Sequence, residues 1–226
     1  MNRIRQRAGS RGTSTIEMLA AASISLIVLA VASSFFTSQQ RMLLVQSAYA
    51  QSQNVTRTFT DLFGRELRMA SYDPSGAAIA VGPTGLGVTC PSIKQGLTLA
   101  GPTTIRFKQD LNGDGDTSDP NEDVEYQLSG SQIQRTDFNS NGGAAVTLVD
   151  GVSNGGFTIT YFDNSNPPVQ KIPTGTPPLL SASDRDCVAK VRVQLTAQLA
   201  SPQFYDIQPL ISSVDAEYAI RSRSNF

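Results

Sequence analysis

The chain opens its apolar pattern abruptly. From Met18 to Phe36, 19 residues pass without a charge, a glycine or a proline. That length is enough for a helix to cross a bilayer. The wider stretch from Thr13 to Phe63, 51 residues, also lacks glycine and proline. Beyond Phe36 the pattern turns amphipathic, with Met42, Val45, Tyr49, Ser52, Val55, Phe59, Leu62, Phe63 and Leu67 recurring mostly at intervals of three and four. This spacing predicts one buried stripe on a continuing helix. Gly64 is a weak interruption, and Tyr72-Asp73-Pro74-Ser75-Gly76 is a firm stop. A helix from Thr13 to about Ala70 would be roughly 85 Å long.

After Pro74 the texture changes. Short β-branched runs alternate with Gly, Pro, Ser and Thr. They predict strands near Thr103–Gln109, Asp123–Leu128, Gln132–Thr136, Phe157–Phe162, Val188–Leu199 and Leu210–Ala219. Ser75–Pro91 and Asn164–Asp186 read as loops. The second contains Pro167-Pro168 and Pro177-Pro178, which exclude a central strand. The predicted fold class is α+β, one long N-terminal helix packed on an antiparallel β-sheet head.

Composition narrows the chemistry. There is no histidine, which removes the Ser-His-Asp triad, the Cys-His dyad and every histidine-containing zinc site. No Walker, Rossmann or G-x-S-x-G pattern occurs, and Gly82-Pro83-Thr84-Gly85-Leu86-Gly87 lacks the strand-then-helix setting of a phosphate cradle. The expectation is a protein that is not an enzyme. The formal charge of −1 gives no reason to expect a nucleic-acid partner. The charge is unevenly placed, however. Arg3, Arg5, Arg7 and Arg11 all precede the apolar run; without them, 14 basic residues face 19 acidic ones. Arginines on that side predict a cytoplasmic N-terminus and an exported remainder.

Three constructions share such a segment. A cleaved signal peptide would use Ala30-Val31-Ala32 and leave Ser33 first, but the apolar stretch is long for one and Glu17 stands at its start. An uncleaved signal anchor explains the span and the arginines but not Glu17, since an acid at the membrane edge is costly unless paired. The third is a processing site: Arg11-Gly12-Thr13-Ser14-Thr15-Ile16-Glu17-Met18-Leu19 resembles the prepilin cleavage and methylation motif of type IV pilin-like proteins. In that family a short basic leader ends in glycine, and a glutamate stands fifth in the mature chain. The resemblance implies cleavage by prepilin peptidase between Gly12 and Thr13, N-methylation of Thr13, and an assembly role for Glu17. Its carboxylate would pair with an N-terminal amine in a filament core, where an unpaired charge is costly. Thr13, Ser14 and Thr15 replace a more apolar stretch, which points away from a major subunit.

The resemblance continues into the head. Thr60 to Ala70 followed by Tyr72-Asp73-Pro74 looks like the helix end of PilW-type minor pilins. Leu148-Val149-Asp150-Gly151-Val152 and Phe157 to Phe162 look like their central strands, and J-type pseudopilins of type II secretion are similar there. It implies a leader over 1–12, a transmembrane or filament-core helix over 13–36, an amphipathic helix over 37–72 and a β-rich head over 73–226. It further implies a structural minor pilin that joins, or primes assembly of, a type IV pilus. The partners would be other minor pilins and the major pilin through the N-terminal helix, prepilin peptidase, the inner-membrane assembly platform and the membrane. The location would be the inner membrane with a periplasmic head, then a surface filament. The alternatives are a minor pseudopilin of a type II secretion system and, of another class, a membrane-anchored Ca²⁺-stabilised binding protein or adhesin.

Two further groups stand out. Asp110 to Asp123 holds six acids and no base, and its D-x-N-x-D-G-D start matches a calcium loop in which alternate oxygens converge on a hard cation. The candidate ligands are Asp110, Asn112, Asp114, Asp116 and Glu122. Position twelve is Asn121, one residue short of Glu122, so the alternative is a solvated acidic hairpin loop. The two cysteines, Cys90 and Cys187, both lie beyond the apolar segment. In an oxidising compartment a disulfide is expected, contributing about 4–5 kcal/mol in the chain-entropy model; the alternative is two buried thiols.

Overall fold

A computed structural model of the chain describes residues 14–79, 96–199 and 210–220. The chain divides into two units, Met1–Ser47 and Ala48–Phe226. One helix, α1 (Thr15–Met69), contributes its first part to one unit and its last part to the other.

In the first unit the helix is apolar on all sides from Met18 to Phe36, and its most apolar 18-residue window is not buried at all. Its few hydroxyls are satisfied internally. Ser23 and Ser25 each donate to the carbonyl four residues back, Leu19 and Ala21, at 2.8 Å. Ser33 and Ser34 donate to Ala30 and Val31 at 2.9 Å. Polar groups closed in this way are the kind a hydrocarbon environment tolerates.

In the second unit the predicted stripe is realised from Ser52 onward. Ser52, Thr56, Phe59, Phe63, Gly64 and Leu67 are buried, at spacings of mostly three and four. Met42, which falls in the first unit, and Tyr49, both placed on the same stripe by periodicity, are exposed, and Leu62 is only half-buried.

The strands are β1 (Leu97–Ala100), β2 (Thr104–Lys108), β3 (Asp123–Ser129), β4 (Gln132–Asp137), β5 (Ala145–Val149), β6 (Val152–Phe162), β7 (Gln170–Lys171), β8 (Lys190–Leu199) and β9 (Leu210–Ala219), with a short helix α2 (Ala182–Cys187). They form two antiparallel sheets, ordered β1-β2-β3-β4-β5 and β7-β6-β8-β9. All six predicted strands are present. β1, β7 and α2 were not predicted, and of β5 only Leu148-Val149 falls in a stretch that resembles a strand. Leu97–Ala100 is too short to show a period, and β7 and α2 lie in the segment read as a loop. The two sheets meet at Asp150-Gly151, where Gly151 has φ 74° and a Cβ would lie 2.3 Å from the Gln198 carbonyl. Only glycine fits there.

Helix and sheets share one aromatic cluster. Phe63 meets Tyr126 of β3 edge-on at 4.9 Å and Tyr218 of β9 at 5.8 Å, and Phe59 meets Phe157 of β6 at 6.1 Å. Gly64 is the contact that sets the approach of β9. A Cβ there would sit 2.3 Å from Tyr218 Cε1, while the Tyr218 hydroxyl donates to the Thr60 carbonyl at 3.0 Å. The weak interruption in the helical pattern is thus a packing requirement.

One half-buried ionic group fixes the same helix on the five-stranded sheet. Glu66 accepts from the Tyr126 hydroxyl at 2.6 Å and from both Nε and Nη2 of Arg135 at 3.1 and 3.0 Å. Burial and the adjacent Glu66 charge push the Tyr126 hydroxyl far above its usual range. Burial works against the Arg135 charge, but the Glu66 carboxylate outweighs it and the Arg135 pKa is raised.

The helix stops where the sequence signals it. Ser71 adopts φ 65°, and its N–H donates to the Lys108 carbonyl at 2.8 Å, joining the helix end to β2. Asp73 then accepts from the N–H groups of Gly76 and Ile79 and from the Ser75 hydroxyl. At the other end of the unit, Asp163 closes the proline-rich loop after β6. Burial raises its pKa, but the Ser165 hydroxyl, the Val169 and Ser165 N–H groups and Lys171 more than offset this and hold it at about 2.

Two outcomes follow from this packing. Gly64→Ala should lower unfolding stability by about 1–3 kcal/mol through overpacking against Tyr218. In a Tyr218→Ala background the same change should cost little or turn favourable, since alanine is the better helix former; chemical denaturation of the two pairs checks this. The Asp163 carboxylate has a depressed folded pKa, so its contribution is present above about pH 4 and lost as pH falls toward 2. In wild type, stability should therefore fall faster over that window than in Asp163→Asn, measured at high salt to screen exposed pairs.

Candidate functional site

Gly12 and Thr13 lie outside the described residues. The first described residues form a helix start of definite chemistry. Ser14 precedes α1, and its carbonyl accepts from Met18 N–H at 3.1 Å. Glu17, at the third helical position, accepts the Ser14 N–H through Oε2 at 3.3 Å. Ser14-Thr15-Ile16-Glu17 is thus the sequence of a capping box, with the carboxylate returning to the capping residue. The acid also sits at the positive end of the helix dipole. Both features make this a favourable position for an acidic residue at the start of an apolar helix. Ile16 and Met18 beside it are 75% and 73% exposed, so the charge stands in an uncovered apolar surface.

The acidic loop between β2 and β3 folds around two buried carboxylates. Asp110 is fully buried and accepts the N–H groups of Gly113 at 2.6 Å and Gly115 at 3.1 Å. Both glycines have positive φ, 80° and 94°, which the turn requires. Glu122 is also buried and accepts from the N–H groups of Leu111 at 2.8 Å and Asp119 at 3.2 Å. These two acids therefore close the loop on itself. Asp110 also accepts from the Ser75 hydroxyl at 3.3 Å, so the loop is tied to the turn that ends α1.

The remaining acids face outward and converge. Asp114, Asp116 and Asp119 each present a carboxylate oxygen within 4.8 Å of the other two. Asn112 donates to Asp114 at 3.0 Å and to Asp119 at 2.6 Å. Asp116 accepts from the Ser118 hydroxyl and N–H, which lowers its pKa. Three converging carboxylate oxygens form a hard donor set of the kind calcium takes, while Asn112 faces them with its NH2 group and its Oδ1 accepts the Asp114 N–H at 3.0 Å. Of the sequence candidates, Asn112, Asp114 and Asp116 belong to the outer cluster, while Asp110 and Glu122 lie inside the loop. Asp119 is the residue that sequence reasoning left out, because it falls off the alternate-residue spacing. Asn139, which donates to the carbonyls of Thr117 and Asp119 at 2.8 and 2.9 Å, pins the loop from beyond β4. No local signal marks it.

Cys187 is buried at the end of α2, and the described residues contain no free cysteine. Cys90 lies outside the described residues.

No family model matches the chain, and no curated protein matches it. Among solved structures, a type IV-like pilin from Thermus thermophilus is similar, with 10% identity and a TM-score of 0.42 over 76% of this chain and 97% of that one. A likeness of that degree assigns no role to any residue.

Proposed function

We propose that the chain is a structural subunit of the type IV pilin class, a minor pilin cut by prepilin peptidase after Gly12 and methylated on Thr13. The observation that carries this reading is an all-apolar, uncovered helix with Glu17 at its start, fifth after the glycine that ends a basic leader. Cleavage would place a new amine at Thr13, one residue before the N–H that Glu17 already accepts. The same carboxylate is then positioned to take an amine, its own or a neighbour's, in a packed bundle of such helices. Before assembly the subunit sits in the inner membrane with a periplasmic head. It then enters a filament with other minor pilins and the major pilin, supplied through the assembly platform. In that compartment Cys90 and Cys187 pair. A minor pseudopilin of type II secretion uses the same parts and is told apart by which machine requires it.

Mass spectrometry of the mature N-terminus, in cells with and without prepilin peptidase, tests the reading. The expected result is a peptide beginning at N-methylated Thr13 that disappears without the peptidase. A chain retaining Met1, or one starting at Ser33, overturns it and leaves the anchored binding protein.

We further propose that the outer acids Asp114, Asp116 and Asp119 hold Ca²⁺ and stiffen the loop that abuts the helix end. Millimolar Ca²⁺ should raise the melting temperature, by about 2–4 °C if the ion adds about 1 kcal/mol to a unit as long as Ala48–Phe226. Asp114→Asn with Asp119→Asn should remove the rise. An unchanged melting temperature in the wild-type protein means that the loop is closed by its own hydrogen bonds alone.

A further inference from the structure

Among the described residues the two sheets present four edge strands, and three of them are guarded. β1 is flanked by α2, and its Ala100 carbonyl accepts the Leu180 N–H at 2.8 Å. β7 is two residues long in a segment carrying Pro167, Pro168 and Pro173. β9 carries Asp215 and Glu217 on an exposed or half-exposed face. These are the usual protections against unwanted strand pairing. Among the described residues, β5 has none of them. The run from Phe138 to Val149 contains no charge and no proline, and Ala145, Val146 and Thr147 are exposed.

β5 also borders a groove. A depression of about 600 Å³ is lined by Leu62, Arg65 and Met69 of α1 and by Val146 and Leu148 of β5, with Gln109 among its walls. Val146 and Leu148 are two residues apart and share one face, the spacing that alternate side chains of an added strand would continue. Leu111, 44% exposed, and Val146, 55% exposed, leave the apolar lining open to solvent. Gln109 is buried, donates Nε2 to the Asn121 carbonyl at 2.6 Å, and has no partner for Oε1. An orphaned acceptor beside an open groove is a second mark of an incomplete site. Charge sets the preference of the groove. Arg135 is paired with Glu66, which leaves Arg65, exposed on α1, as the groove's unpaired charge among the described residues.

We infer that β5 and this groove form a docking site for an extended segment of a partner protein, one that adds as a sixth strand. Its inward side chains are apolar at alternate positions, and an acidic residue meets Arg65. Main-chain hydrogen bonds to β5 supply affinity and the groove supplies specificity. The inference does not depend on the pilin reading, since every residue it uses lies in the second unit.

The test uses the full chain in detergent micelles and an array of random peptides of about eight residues, a common strand length with its flanks. The expected consensus alternates apolar with polar residues and is enriched in Asp or Glu toward one end. Val146→Lys, a charge on an already exposed edge position, should weaken the selected peptides about tenfold or more. Arg65→Glu should exchange the acidic preference for a basic one while alternation persists. Hydrogen exchange of the 145–149 amides should slow on binding. Absence of an alternating consensus overturns the proposal. So does binding that survives Val146→Lys, or binding that leaves those amides unprotected.

Discussion

Phe63 is the point at which the second unit is joined. It is fully buried, and its ring meets Phe59 on the same helix, Tyr126 on β3 and Tyr218 on β9. One side chain therefore touches the helix stripe and both sheets. Removing a buried phenylalanine of this kind typically costs about 3–5 kcal/mol, because the cavity is not refilled by its neighbours. The neighbouring glycine is part of the same arrangement. Without a side chain at Gly64, Tyr218 lies flat enough against α1 for its hydroxyl to reach the Thr60 carbonyl.

Apolar packing alone would leave the rotation of the helix on the sheet loosely defined. The Glu66–Arg135–Tyr126 group defines it. A paired charge that is mostly removed from water contributes little net stability, yet any register that separated the partners would leave a charge buried and alone. The penalty falls on the alternatives, and the helix is held to one facing. Arg135 also donates to the Asn121 side chain at 2.7 Å, so the same group reaches the end of the acidic loop.

That loop shows how six acids are accommodated in one turn. Asp110 and Glu122 are buried as acceptors of backbone N–H groups, which disperses their charge over four donors. Asp123 forms a bidentate pair with Arg106, whose guanidinium lies 3.6 Å from the Phe138 ring centroid. Only Asp114, Asp116 and Asp119 are left facing one another. The division is set by position in the turn, not by residue type.

The sequence by itself determined the features that depend on neighbours along the chain. The apolar run, its acid and the preceding arginines define the N-terminal helix because length and charge placement act locally. Period-two runs such as Thr158-Ile159-Thr160-Tyr161 and the stop at Tyr72-Asp73-Pro74 likewise specify strands and a helix end from within a few residues. What only the tertiary structure decided are the pairings between distant residues. Periodicity could not tell that the buried stripe begins at Ser52 and not at Met42, because burial depends on where the sheets reach. Nor could it tell that Gly64 faces Tyr218, that Glu66 meets Arg135, or that Asp119 joins Asp114 while Asp110 turns inward. Two sheets form where one was expected, since the break at Gly151 shows only once Gln198 lies beside it. Outside the acidic loop such contacts join residues tens to more than a hundred positions apart, and no local pattern encodes which partner each will meet.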